Sequence, residues 1–237
     1  MKTLLQITLL LVSISFYSQQ KFHFDRAVVV KSEIQNKDSL ERFEYNYLIN
    51  SENIDYIASI KFKKDSTLLY FSDIKGIQII QANFKSLEFN ASESYTIDCK
   101  LVSNFSNTYK FKADEYDFVQ LQDTVYEGKS YYHLVIQSNK SLKYQKRKKI
   151  PSCHFIIEKN INEIPFVYAG GPLLINTWKK NNLSIKGRTL FTYFKSYNGK
   201  ITRKDHYEYG EINRYLLIPE ACDYVKNPIN IKTLKSL

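Results

Sequence analysis

Apolar and polar residues alternate along most of this chain, and the alternation sets the first expectation. Arg42-Phe43-Glu44-Tyr45-Asn46-Tyr47 places Phe43, Tyr45 and Tyr47 on one side. Ile54 to Phe62 repeats the pattern with Ile54, Tyr56, Ala58, Ile60 and Phe62. Tyr95-Thr96-Ile97-Asp98-Cys99-Lys100-Leu101, Tyr109 to Phe111, Asp117 to Tyr126, Tyr131 to Ile136 and His154 to Ile157 are further runs rich in aromatic and β-branched residues. A period of two over short runs bounded by turn residues predicts β-strands. Val28 to Val30, Leu68 to Phe71 and Ile77 to Ile80 are continuous apolar runs, which suit strands buried on both faces. Thr189 to Tyr209 reads as two strands joined at Asn198-Gly199, a pair that tolerates the positive φ angles of a type I′ hairpin turn. Gly76 and Gly128 mark other turns.

Helix is scarce. Pro172 to Asn181 is the best candidate, with proline at the start, lysines in the last turn, and Leu174 and Trp178 four residues apart on one face. Pro219 to Tyr224 suits a second short helical turn, and Asp38 to Phe43 reads as a loop entering a strand. The fold expected is mainly β: a single antiparallel, strongly curved sheet or half-barrel with one or two short helices, or alternatively a β-sandwich.

The N-terminus adds an address. MKTLLQITLLLVSISFYSQQ has a lysine, a short apolar run and a polar end, the layout of a secretory signal peptide cut near Ser18. Its apolar run is shorter than the roughly 18 residues that cross a bilayer. Residues 1–18 are therefore read as the signal and 19–237 as a single β-rich domain, exported to the periplasm or beyond. This layout resembles secreted β-rich proteins of gram-negative bacteria, whose short signals end near Ser-Gln as here. The many strands with one or two short helices are similar in architecture to curved-sheet lipoprotein carriers, and that resemblance implies a bent sheet wrapped round a helical plug.

The net charge of +10 looks like a polyanion signal until its composition is read. Lys outnumbers Arg by 28 to 6, and Lys, Asn, Ile, Tyr and Phe, the residues of A/T-rich codons, are abundant. Phosphate binders lean on the planar fork of arginine. A nucleic-acid partner is accordingly not expected, and export argues against one too. The charge peaks at Lys143, Lys146, Arg147, Lys148 and Lys149. The plain reading is a solvated connector; the functional reading is a patch for acidic glycans or lipid headgroups.

Three cysteines in an exported chain leave one over. Cys99 shares parity with Tyr95, Ile97 and Leu101 and reads as a core residue, so Cys153 with Cys222 is the expected disulfide. Cys153, His154 and Cys222 as a metal set is the weaker alternative, because a structural zinc needs about four ligands; no metal or cofactor is expected. No nucleophile elbow, zinc helix or phosphate loop appears. Ala169-Gly170-Gly171-Pro172 reads as a turn more readily than as an anion nest. Asp114, Glu115 and Asp117 read as loop polarity, and His206 among Lys204, Asp205 and Glu208 reads as solvated. Nineteen Tyr and fifteen Phe supply core filler or, on an open face, stacking surfaces.

The leading expectation is an exported, non-enzymatic protein that binds or carries a lipid or other apolar ligand in a sheet concavity. A surface module for acidic glycans or lipid headgroups is the second, and a hydrolase with an unrecognised carboxylate pair the third.

Overall fold

The computed structural model describes residues 19–36, 39–74, 77–104, 108–167, 172–219 and 222. The expected signal segment, Gly76, the Gly170-Gly171 pair and most of the Pro219 to Tyr224 turn lie outside them. Among the described residues thirteen strands form one sheet: β1 Gln19–Gln35, β2 Leu40–Ile49, β3 Tyr56–Phe62, β4 Ser66–Asp73, β5 Ile77–Lys85, β6 Ser94–Thr96, β7 Val102–Asn104, β8 Tyr116–Gln120, β9 Thr124–Tyr126, β10 Lys129–Ser138, β11 Ser152–Glu158, β12 Arg188–Lys195 and β13 Ile201–Pro219. The helices are α1 Ser86–Ala91, α2 Leu142–Lys148 and α3 Pro172–Asn181. The strand order is β7-β5-β4-β3-β2-β1-β13-β12-β11-β10-β8, with β9 beside β10 and β6 beside β13. All pairings are antiparallel except the short β6–β13 contact.

Register separates the two faces. Leu134, Phe155, Thr192, Asp205, Ser32 and Phe43 stand opposite one another across six strands and share one face. Val135, His154, Tyr193, Lys204, Glu33 and Arg42 run across the other. Two apolar clusters lie on the first face. One is Phe118, Leu134, Ile136, Cys153, Phe155 and Ile157 under Leu174 and Trp178 of α3; the other is Val28, Val30, Ile49, Ile57 and Tyr207 around Phe166. The third cluster switches sides. Leu48, Ala58 and Phe71 are register partners on the second face, and they pack with Phe89, Tyr95 and Ile97. The register break between Phe24 and Arg26 lets the outer ends of β1 and β13 join this third core through Phe24, Leu216 and Ile218.

This two-sided burial corrects the expected half-barrel. The sheet is open, with β7 and β8 at opposite ends of the strand order, and it is not strongly curled. Apolar area on each face is covered separately, so the sheet has no need to roll around one side. The two-sheet sandwich does not form either.

Local departures have local causes. The Asn198-Gly199 hairpin forms, but only Gly199 has positive φ (88°), and Ser196 exchanges backbone bonds with Gly199 and Lys200. That is the three-residue loop with glycine in the left-handed position rather than type I′. The Tyr95 to Leu101 run breaks after Thr96 into a 3₁₀ turn at Cys99–Leu101, where the Asp98 carboxylate accepts from the Lys100 N–H. Tyr109 to Phe111 falls in the 3₁₀ segment Thr108–Glu115. The basic stretch forms α2, started by the Ser141 hydroxyl on the Tyr144 N–H and ended by Lys149 in the left-handed region. Lysines in its last turn suit the negative end of the helix dipole.

Gly187 enters β12 against the end of β11. A Cβ there would lie 2.2 Å from the Glu158 carbonyl oxygen and 2.5 Å from Ile157 Cγ2. Gly187→Ala should therefore cost about 1–3 kcal/mol, the range for overpacking, read as a lower urea midpoint with unchanged slope.

Candidate functional site

The site candidate is the face closed by α3. Leu174 and Trp178 face the β8–β11 cluster, and the Trp178 ring meets Phe118 edge-on at 5.3 Å. Thr177, in the same helix, bonds the Leu173 carbonyl at 2.8 Å and so is satisfied without reaching the sheet. The C-terminal end of α3 is tied down three times. Lys179 pairs with Asp55, Lys180 with Asp117 at 2.9 Å and with the Tyr116 carbonyl at 2.7 Å, and the Asn181 side chain accepts from the Phe118 N–H at 3.1 Å.

The segment from Lys159 to Val167 carries the chain from β11 towards α3 across the same face. Phe166 lodges between Tyr47 and Tyr207, at ring distances of 5.5 and 5.7 Å. Glu163 anchors the segment. Its carboxylate accepts from Arg26 Nη2 at 2.8 Å and Nε at 3.0 Å, and from Arg188 Nη2 at 2.6 Å and Nε at 2.8 Å. With only 9% of its side chain exposed, this is a buried charge held between two guanidinium forks. Arg188 and then Arg26 hold the Glu163 carboxyl below the usual carboxylate range against the opposing effect of burial.

Three spaces flank α3 and this segment. One of about 20 Å³ is lined by Ile49, Ile54, Tyr56, Ile57, Ile164, Phe166, Val167 and Ile175. A second of about 150 Å³ lies between Ile136, Cys153, Leu173, Leu174 and Phe194. A third of about 280 Å³, with more polar walls, opens between Asp55, Ile164, Trp178, Lys179 and Leu183.

The residues singled out from the sequence scatter around this face. Lys143, Lys146, Arg147 and Lys148 of α2 and Lys149 at its end are exposed to solvent, and none of the five makes an ion pair among the described residues. The expected Cys153–Cys222 bond is corrected: Cys222 joins Cys99, and Cys153 is a free thiol inside the α3 cluster. Parity does not carry to Cys99 because β6 ends at Thr96, while Cys153, near the start of β11, is the register partner of Ile136 and Phe194. Asp205 and Glu208 do not pair, since Asp205 is buried on the α3 face beside Arg203 and Glu208 is exposed with Lys31. Asp117 is occupied by Lys180. His206 is exposed, as expected.

One group escaped the sequence reading. On the other face His133 Nε2 lies 3.0 Å from His154 Nδ1 and 3.2 Å from the Tyr193 hydroxyl. Burial, then His133 and Lys195, push His154 down to about 4, and burial lowers His133 as well. The sign follows: an unfolded histidine takes up a proton near pH 6.5 that the folded pair refuses. The neutral pair thus stabilises the fold fully above about pH 6.5 and loses that contribution as pH falls towards about 4. Urea midpoints at pH 7 and pH 5 should differ in the wild type and differ by less in His154→Gln.

No protein-family model matches the sequence, and no curated protein matches it. Among solved structures, the chain is similar to MucB at 8% identity with a TM-score of 0.34, over 88% of this chain and 56% of that one. It thus spans little more than half of MucB. It is similar to a domain described as an outer-membrane lipoprotein-sorting protein from Vibrio parahaemolyticus, at 9% identity and TM-score 0.33, covering 79% and 85% of the two chains. A LolA superfamily protein from Nitrosomonas europaea follows at 11% identity and TM-score 0.23, covering 84% and 87%. These are distant structural similarities. At such TM-scores they carry no argument about what this chain binds.

Proposed function

We propose that the protein is exported and binds or carries an apolar ligand on the α3 face of its sheet, with α3 giving way to admit it. The supporting observation is the space flanking α3: volumes of about 20 and 150 Å³ with apolar walls and a more polar one of about 280 Å³. Pockets that hold a drug-sized ligand measure about 300–1,000 Å³. Displacing α3 joins these spaces and exposes Ile, Phe and Trp side chains on one face. The ion pairs and hydrogen bonds at the rim of the helix can be replaced by water at little cost; the larger cost is uncovering Leu174 and Trp178 and the cluster beneath them, which an apolar ligand offsets by covering the same face. A signal over residues 1–18 and a disulfide between Cys99 and Cys222 both fit export into an oxidising compartment.

Native mass spectrometry of the protein purified from the exported fraction tests this. An apolar adduct, or saturable one-to-one binding of a fluorescent fatty acid to stripped protein, is expected. Neither adduct nor saturable binding would overturn the proposal.

A second reading rests on α2. Its four basic side chains and Lys149 just after it are exposed beside Leu142, itself 74% exposed, which suits an anionic lipid or glycan surface. Replacing Lys146, Arg147, Lys148 and Lys149 by Gln should abolish retention on anionic vesicles; unchanged retention removes this reading.

A further inference from the structure

We propose that Asp205 and Ser32 receive the head group of the ligand on the α3 face, and that this head group is an uncharged hydroxyl, as in a fatty alcohol or a monoacylglycerol. The inference deepens the carrier reading and rests on it.

A polar row crosses an otherwise apolar face. Phe155, Thr192, Asp205, Ser32 and Phe43 are successive register partners on β11, β12, β13, β1 and β2. The three in the middle are buried, with Thr192 and Asp205 at 0% exposure and Ser32 at 1%. Thr192 is satisfied by the Tyr207 hydroxyl at 3.1 Å. Asp205 is satisfied on one side only. Its Oδ1 accepts from Arg203 Nε at 2.7 Å, while Oδ2 has no partner among the described residues, and neither has the Ser32 hydroxyl. Buried polar atoms are nearly always paired, and leaving two unpaired on directly opposed residues costs stability. A face that keeps them is suited to a ligand group that completes both.

The chemistry of that group follows from the two atoms. A carboxylate oxygen only accepts, so Asp205 Oδ2 calls for a donor. The Ser32 hydroxyl has a proton to give and calls for an acceptor. One hydroxyl does both, donating to Asp205 and accepting from Ser32. Arg203 already balances the Asp205 charge, so an uncharged head group fits better than an ammonium, whose charge would be buried without a partner. A fatty-acid carboxylate has no proton to give Asp205 and binds through its chain alone.

Space for the chain adjoins the row. Cys153, Phe194 and Arg203 are the neighbouring register partners, and the Arg203 guanidinium lies 5.2 Å from the centre of the Phe194 ring. Cys153 and Phe194 also line the space of about 150 Å³ beside Leu173 and Leu174. Burial, and then the Asp205 charge, push the Cys153 thiol up, so the carboxylate acts on the wall of that space.

Isothermal titration of the mature protein with 1-dodecanol and with methyl undecyl ether tests the head-group site. The two probes have the same number of heavy atoms, but the ether cannot donate. Dodecanol should bind at least about tenfold more tightly, because the ether leaves Asp205 Oδ2 covered and unpaired. Ser32→Ala should weaken dodecanol severalfold and leave the ether unchanged. Its urea midpoint should hold or rise, since the hydroxyl removed has no partner to lose. Asp205→Asn keeps the shape; with its amide oxygen on Arg203 it turns a donor to the head group, and the preference for dodecanol should vanish. Circular dichroism checks that both variants fold. Equal binding of the two probes by the wild type, or a preference for dodecanol that both variants retain, would overturn the head-group site and leave the carrier reading standing. Binding of neither probe would overturn both.

Discussion

Glu163→Gln should cost about 3–5 kcal/mol of stability at pH 7, the range for breaking a buried ion pair from one side. The carboxylate stands between Arg26 and Arg188 with four short contacts, and it is the point where the segment after β11 is bound to β1 and β12. A glutamine amide carries no charge and presents N–H groups to one of the guanidinium forks, so two cations are left facing a poor acceptor. Urea unfolding followed by circular dichroism reads the loss. A pH series adds a signature. A carboxyl with a depressed folded pKa stabilises above its unfolded value, near pH 4.3, and loses that contribution as pH falls through the lower folded value. The wild type should show this acid leg and Glu163→Gln should not. The triple replacement Arg26→Met, Glu163→Leu, Arg188→Met should recover much of the stability, since removing all the charges also removes the cost of burying them.

Cys222→Ser should cost about 2–5 kcal/mol, the range for a native disulfide in an exported domain. The bond spans 123 residues, so the unfolded chain loses a long loop's worth of freedom while it stays closed. It also holds Cys222 within the third core, beside Tyr95 and Ile97. Cys99→Ser should cost a similar amount, and the double variant little more. Cys153→Ser tests a different physics: its thiol is buried among Ile136, Phe155 and Phe194, so a hydroxyl there costs about 1–3 kcal/mol without any change in cross-linking. Peptide mapping under non-reducing conditions should recover Cys99 joined to Cys222 and Cys153 free.

The strands were legible wherever period two ran long enough to outweigh its neighbours, as in β2, β3, β10 and β11. Helix α3 was legible to its ends, because Pro172 and the closing lysines mark a start and a stop. The basic helix α2 was not, since six cations in ten residues read as solvent-facing whatever the backbone does. The disulfide failed on one local break after Thr96 that parity cannot see. The curl of the sheet failed for a wider reason. Period two reports that a strand has an apolar side; it does not report that different strands turn that side in opposite directions, as β11 does through Phe155 and β4 through Leu69 and Phe71. Glu163 and the His133–His154 pair were invisible because their partners are distant in sequence, 137 and 25 residues away for the two arginines and 21 for the histidines. No local motif encodes them.

The central claim is that α3 is a movable cover over apolar space, and the chain carries its own reporter. Trp178 is the sole tryptophan, and it is buried under α3 against Phe118. Its fluorescence should begin blue-shifted, then change saturably at one equivalent of a long-chain fatty acid as the indole leaves Phe118. Binding of the fatty acid with no change in Trp178 emission or quencher access would contradict the account.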